Sequence, residues 1–200
     1  MRRRRRISPP VAGAWLLLAF LGAASLGAPR LLPLAWNRSP SLPRGLYLRA
    51  RGGYAPGTLV LACLPEARAT AARQRGYLDP GTCPGGASPV GKIVLAAGPD
   101  VVDFGADGLR RHGVPVPGSG PVSVDSAGRP LGHVPFGRYR LAPGEFWLYS
   151  PYHPRSFDSR YFGPLRQSDL RSTLVPVWIA SRGLPEPPGF RLRLGSSHVD

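Results

Sequence analysis

Residues 11–28, VAGAWLLLAFLGAASLGA, form a run of 18 residues without a charge. As a helix the run would reach about 27 Å, roughly the hydrocarbon thickness of a bilayer. Five consecutive arginines, Arg2 to Arg6, precede it. By the positive-inside rule they hold the N-terminus in the cytoplasm and send the rest of the chain outward. Small residues crowd the end of the run (Ala23, Ala24, Ser25, Gly27, Ala28), as they do before the cut of a cleaved signal peptide. The apolar stretch is long for a signal-peptide core, which favours an uncleaved anchor. Either reading puts the folded part across the membrane, giving a single-pass protein of the inner membrane with its domain in the periplasm. The expected division is a cytoplasmic Arg-rich segment at 1–10, the anchor at 11–28, a domain at 29–182 and a flexible tail at 183–200.

That domain has little scope for long helices. With 26 Gly and 25 Pro, about a quarter of the chain consists of residues that suit short strands joined by turns. Strands are expected within 37–50 (LYLR), at 57–64, at 90–98, in short pieces over 101–140, at the end of 142–150 and at 172–181. One good helix is expected at 65–76, with Pro65 in its first turn, an Ala/Arg-rich body and Gly76 as its stop. The expected class is therefore mainly β with one short helical insertion, on one N-terminal transmembrane helix. Segment 30–36, ending in Trp36, reads as interfacial.

The formal charge of +15 raises the question of nucleic acid. Five of those charges are the N-terminal run, and the other arginines are scattered singly or in pairs. There is no basic helix face, no aromatic–basic interleaving and no zinc-finger spacing, which argues against a nucleic-acid partner. Attraction to an anionic lipid surface accounts for the charge instead. Cys63 and Cys83 are the only cysteines. No CxxC or Cys/His cluster accompanies them, so neither a metal nor a cofactor is expected. In an oxidising compartment they read as a disulfide clipping the helical excursion, the alternative being two unpaired thiols. Closing such a loop stabilises a domain by roughly 3 kcal/mol.

Several catalytic patterns are missing: G-x-S-x-G, Walker A, H-E-x-x-H and S-x-x-K. His112, His133, His153 and His198 show no ligand spacing. What remains is Lys92, the sole lysine beside 25 arginines, on the hydrophobic stretch GKIVLAAG. Arginine keeps its proton at any working pH, whereas a buried lysine can lose it and act as a base. Burial lowers a lysine pKa from about 10.4 by as much as 3–5 units, an environment roughly 4–7 kcal/mol hostile to the charge. The sequence neighbours Val90, Ile93, Val94 and Leu95 offer no carboxylate to hold the proton. Two polar clusters could supply a serine nucleophile to such a base: SPSLP at 39–43 and SFDSR at 156–160.

In this order, SPSLPRGLY, GKIVLAAGPD and SFDSRYFGP resemble the motifs of the type I signal peptidase family (S26), and more closely its TraF-type branch from conjugative transfer systems. The resemblance spans about 37–180, and the nine-residue SFDSRYFGP is its most specific part. It implies a signal-peptidase-like β-barrel or coiled β-sheet domain and a serine endopeptidase working through a Ser–Lys dyad. Residue by residue, it makes Ser41 the nucleophile and Lys92 the general base. Ser39 becomes the hydroxyl that helps to bind the oxyanion beside the Ser41 backbone N–H. Ser156 is matched to a serine that orients the lysine, and Asp158 and Arg160 to an acidic site residue and its ion-pair partner. For the last two, a structural salt bridge and a direct catalytic role are equally open.

The implied substrate is a signal peptide or pilin precursor with small residues before the cut. A general secretory signal peptidase, or a non-catalytic membrane-tethered assembly protein of the same fold, are the alternatives. The cysteine-bracketed insertion resembles an element of the TraF-type branch. One departure is the exchanged order Gly98-Pro99 where the family has Pro-Gly. Gly98 is expected to take up whatever positive φ that turn requires.

Overall fold

The computed structural model describes residues 33–180 and 191–193. The expected anchor at 11–28 lies outside them, as do the cytoplasmic segment and most of the tail. Among the described residues no helix is long and apolar enough to cross a membrane. Nearly all the described residues fall in one compact unit, Ala35–Asp200, which carries the fold.

Short β-prone runs separated by Gly and Pro produce short strands. In chain order these are β1 (Leu34–Asn37), β2 (Gly45–Ala50), β3 (Leu59–Ala62), helix α1 (Glu66–Gln74), β4 (Pro80–Cys83), β5 (Val90–Ala97) and β6 (Val101–Gly105). There follow β7 (Gly108–Arg111), β8 (Val114–Pro115), β9 (Gly137–Arg140), β10 (Glu145–Tyr149), helix α2 (Ser159–Phe162), β11 (Leu165–Arg166) and β12 (Leu170–Ile179). A seven-stranded sheet has the order β1-β2-β12-β3-β5-β10-β11, and a four-stranded sheet the order β8-β7-β6-β9. The larger sheet ends in two different strands, β1 and β11. It is a curled sheet left open among the described residues, not a closed barrel.

β12 lies inside the large sheet, antiparallel to both β2 and β3, with Leu174 opposite Arg49 and Thr173 opposite Val60. β5 is flanked by β3 and β10, with Lys92 opposite Val60 and Leu148 opposite Val94. Three cores follow from this order. One lies between the large sheet and the α1 excursion, built on Val60, Cys63, Ala69, Val94, Leu148 and Phe162. A second holds the two sheets together through Leu95, Val102, Phe104, Leu109 and Trp147. The third (Leu42, Tyr47, Leu59, Ile93, Leu174) carries Leu42, the neighbour of Ser41.

α1, expected at 65–76, runs from Glu66 to Gln74, with Pro65 as its N-cap instead of in its first turn; it buries only Ala69 and Ala72. Cys63 and Cys83 are disulfide-bonded, so the excursion is closed at its base. The expectation of a single helix needs correcting: α2 is a second one. At four residues it has no periodicity to read. It is made by its ends, with Asp158 accepting from the Arg160 N–H as N-cap and Gly163 closing it at φ 75°. The 30–36 stretch also contributes to a strand, since β1 begins at Leu34, and Trp36 stacks on Trp178 of β12 at 5.8 Å.

Gly98 differs from expectation as well. It is not among the glycines at positive φ, and its bond to Pro99 is cis. Glycine is required there because a Cβ would come within 1.9 Å of the Ala142 carbonyl oxygen. Within the stretch expected to be a loose tail, Arg193 bridges to Thr58 and donates its N–H to the Gly57 carbonyl at 3.0 Å.

Candidate active site

The segment from Arg38 to Pro43, after β1, has too many prolines to pair as a strand, so its backbone groups need side-chain partners. Asn37 supplies them. Its amide nitrogen lies 2.9 Å from the carbonyls of Ser39 and Leu42 and 3.1 Å from that of Pro43, while its oxygen accepts from the Ser39 N–H. The Tyr47 hydroxyl donates to the Pro43 carbonyl at 2.6 Å. Leu42 is buried against Gly91, where a Cβ would stand 2.9 Å from the leucine Cδ1. The small residue beside Lys92 therefore lets the serine loop settle onto the lysine strand.

Ser41 is held at three points. Its backbone N–H donates to the Ser39 hydroxyl oxygen at 3.2 Å. Its own hydroxyl shares a 2.9 Å hydrogen bond with the hydroxyl of Ser156. Its carbonyl accepts from the hydroxyl of Ser150. The resemblance has Ser156 orienting the lysine, yet its hydroxyl contact here is to Ser41. The Ser39 hydroxyl lies beside the Ser41 N–H and accepts its hydrogen bond. An oxyanion reaching that N–H would have to displace it, leaving the Ser39 hydroxyl free to turn and donate.

Lys92 is 3% exposed in the middle of the apolar strand β5. Burial pulls its pKa from 10.5 down to about 8, against Asp158, which raises it, and with Arg160, which lowers it further. The carboxylate missing from its sequence neighbourhood is thus supplied from afar. Ser39, Ser41 and Lys92 line one open cleft of about 690 Å³, along with Gly91, Tyr77, Asp125, His153 and Phe157.

Behind the cleft, Asp158 and Arg160 are fully buried. The guanidinium grips the carboxylate at both oxygens, each 2.8 Å away. It also donates to the carbonyls of Gly120 and Ser156, and lies 5.0 Å from the centre of the Tyr149 ring and 5.4 Å from that of Tyr161. Asp158 accepts from the Ser150 N–H at 3.3 Å. His153 lines the cleft, and its Nδ1 accepts from the Arg155 N–H. Among the described residues no three His, Cys, Asp or Glu side chains come together as a metal would need.

The structure therefore brings Ser39 and Ser156 each into contact with Ser41, puts Lys92 on the same cleft as Ser41 and sets Asp158 and Arg160 behind it. It adds two residues that carry no expectation from sequence. Asn37 had a readable signal, an Asn two residues before Ser39, the spacing of a side-chain-closed turn. Ser150 had none, lying 109 residues from its partner.

The family model described as signal peptidase, peptidase S26, matches residues 9–179. The chain is 37% identical over 168 residues to the plasmid transfer protein TraF of Escherichia coli, covering 84% of this chain and 91% of that one. It is 38% identical over 170 residues to the probable conjugal transfer protein TraF of Sinorhizobium fredii, covering 82% and 86%. A signal peptidase I from Enterococcus faecalis is aligned over 63% of this chain and all of that one at 18% identity, with a TM-score of 0.36. The family match reaches through all three motifs, and the chain belongs to the signal peptidase family, peptidase S26.

Proposed function

We propose that this chain is a membrane-anchored serine endopeptidase that cuts a signal peptide or pilin precursor at the outer face of the cytoplasmic membrane in conjugative transfer. The observation that carries this reading is a buried lysine with a pKa of about 8 on the same cleft as a serine whose hydroxyl and backbone are both held. The names of the relatives, which concern plasmid and conjugal transfer, support the choice of a transfer system over general secretion.

In the proposed reaction neutral Lys92 takes the hydroxyl proton of Ser41 as its oxygen attacks the scissile carbonyl carbon. The carbonyl oxygen gains the charge and is met by the Ser41 N–H and a reoriented Ser39 hydroxyl. The tetrahedral intermediate collapses with loss of the new amine, which takes the proton back from Lys92. The acyl group on Ser41 is then released to water, or to an amine if the product is cyclised. Asp158 and Arg160 touch none of the reacting atoms in this scheme; they fix the loop that carries Ser156.

The test is cleavage of a candidate pilin precursor in membranes, read by mass. Wild type is expected to process it, with Ser41→Ala and Lys92→Arg accumulating it uncut. The product mass separates linear from cyclic ends. Normal cleavage by Lys92→Arg would remove Lys92 as the base.

A further inference from the structure

Ser150 directly follows β10 and is 1% exposed. Its backbone N–H donates to the Asp158 carboxylate at 3.3 Å, and its hydroxyl donates to the Ser41 carbonyl. One buried residue thus touches both the ion pair behind the cleft and the backbone of the proposed nucleophile. We infer that Ser150 is a positioning residue, through which the Asp158–Arg160 pair sets the peptide plane of Ser41 and so the aim of its hydroxyl. The inference rests on Ser41 being the nucleophile.

The geometry explains why a hydroxyl is needed at this point. The Ser41 side chain is tethered to Ser156 and its N–H to Ser39, contacts that an incoming substrate must disturb. The carbonyl is the one Ser41 group that no step of the reaction uses, so its tether can persist through the whole cycle. Ser150 itself cannot drift, because Asp158 holds its N–H and two charge-assisted bonds from Arg160 hold Asp158 in turn. Without the Ser150 hydroxyl the Ser41 carbonyl loses this hydrogen bond, and the peptide plane between Ser41 and Leu42 loses a tether on the Ser41 side. A displacement of about 1 Å at a reacting atom is enough to cost on the order of a hundredfold in rate.

The experiment uses the full chain in detergent micelles and an internally quenched peptide with alanines at the first and third positions before the cut. Ser41→Ala and Lys92→Arg serve as references. Ser150→Ala is expected to lower kcat about 10- to 100-fold. Its KM should stay within about twofold, and the acid limb of its pH profile at the wild-type midpoint, because the lysine environment is untouched. Ser150→Thr, which keeps the hydroxyl, should recover most of the rate, and Ser150→Cys, a weaker donor of similar size, should fall between. A kcat within twofold of wild type for Ser150→Ala, while Ser41→Ala is inactive, overturns the inference and leaves the dyad standing. Equal rates for the Thr and Cys variants overturn it too, even if the alanine variant does not fold. Full activity of the Ser41→Ala reference would instead overturn the proposed function.

Discussion

For Lys92 the proposed mechanism turns a stability cost into the source of the base. Its native pKa of about 8 lies below the ordinary 10.5, chiefly through desolvation. Between these values the unfolded chain binds a proton that the native state does not, so stability rises with pH through that window. Below pH 8 the native protein keeps a buried ammonium, at a cost of about 3 kcal/mol relative to an exposed lysine. Lys92→Met, which retains the shape without the charge, is therefore expected to be inactive yet more stable by up to about 3 kcal/mol at pH 7. That gain should shrink towards zero by about pH 10.5, and denaturant unfolding at pH 7, 9 and 10.5 measures it. In the proposed mechanism the same pKa sets the rate. At pH 7 about one-tenth of the enzyme would carry neutral lysine, so kcat/KM should climb roughly tenfold per pH unit towards a midpoint near 8. A profile flat from pH 6 to 9 would contradict a lysine base.

At the scale of elements, what could be read from sequence is what is local. The strands at β3, β5 and β12 and the helix α1 follow from apolar runs, prolines and a stop glycine, each within a dozen residues. Ser41 and Lys92 were visible because each sits inside its own short motif. The insertion of β12 between β2 and β3 was not visible, because pairing across more than a hundred residues leaves no trace in either strand alone. Gly98 illustrates the same limit. Its reason is the Ala142 carbonyl, a neighbour brought by the fold and not by the turn. The cysteine-bracketed excursion is local in sequence but docks at a distance. The Tyr77 hydroxyl donates to Asp125 at 2.8 Å, and the Asp125 carbonyl accepts from Arg155, the residue before Ser156. Replacing both Cys63 and Cys83 by alanine should cost roughly 3 kcal/mol of stability. If the docking matters for Ser156, kcat should fall as well at a temperature where the variant stays folded. Thermal melts and turnover on the same preparation separate these two effects.

Across the whole molecule, the Asp158–Arg160 pair joins parts that the backbone keeps separate. Asp158 receives the N–H of the residue that follows β10 of the large sheet, and Arg160 donates to Gly120 in the segment that follows the small sheet's β8. Each charge is buried, and each is tolerable only because the other is present. Removing one partner should therefore cost about 3–5 kcal/mol, far more than an exposed pair would. Replacing both, as Asp158→Leu with Arg160→Met, should cost less than the sum of the single changes, because no uncompensated charge is left behind. Activity distinguishes this structural reading from a direct catalytic one. Asp158 raises the Lys92 pKa through space, so Asp158→Asn removes that support and should move the acid limb of kcat/KM below its midpoint near 8. Arg160→Met removes an opposing positive charge and should move the limb upwards. If Asp158 acts only through position and field, Asp158→Asn retains measurable turnover with a shifted limb. Complete loss of turnover in a variant that still melts cooperatively would instead give the carboxylate a direct part in the reaction.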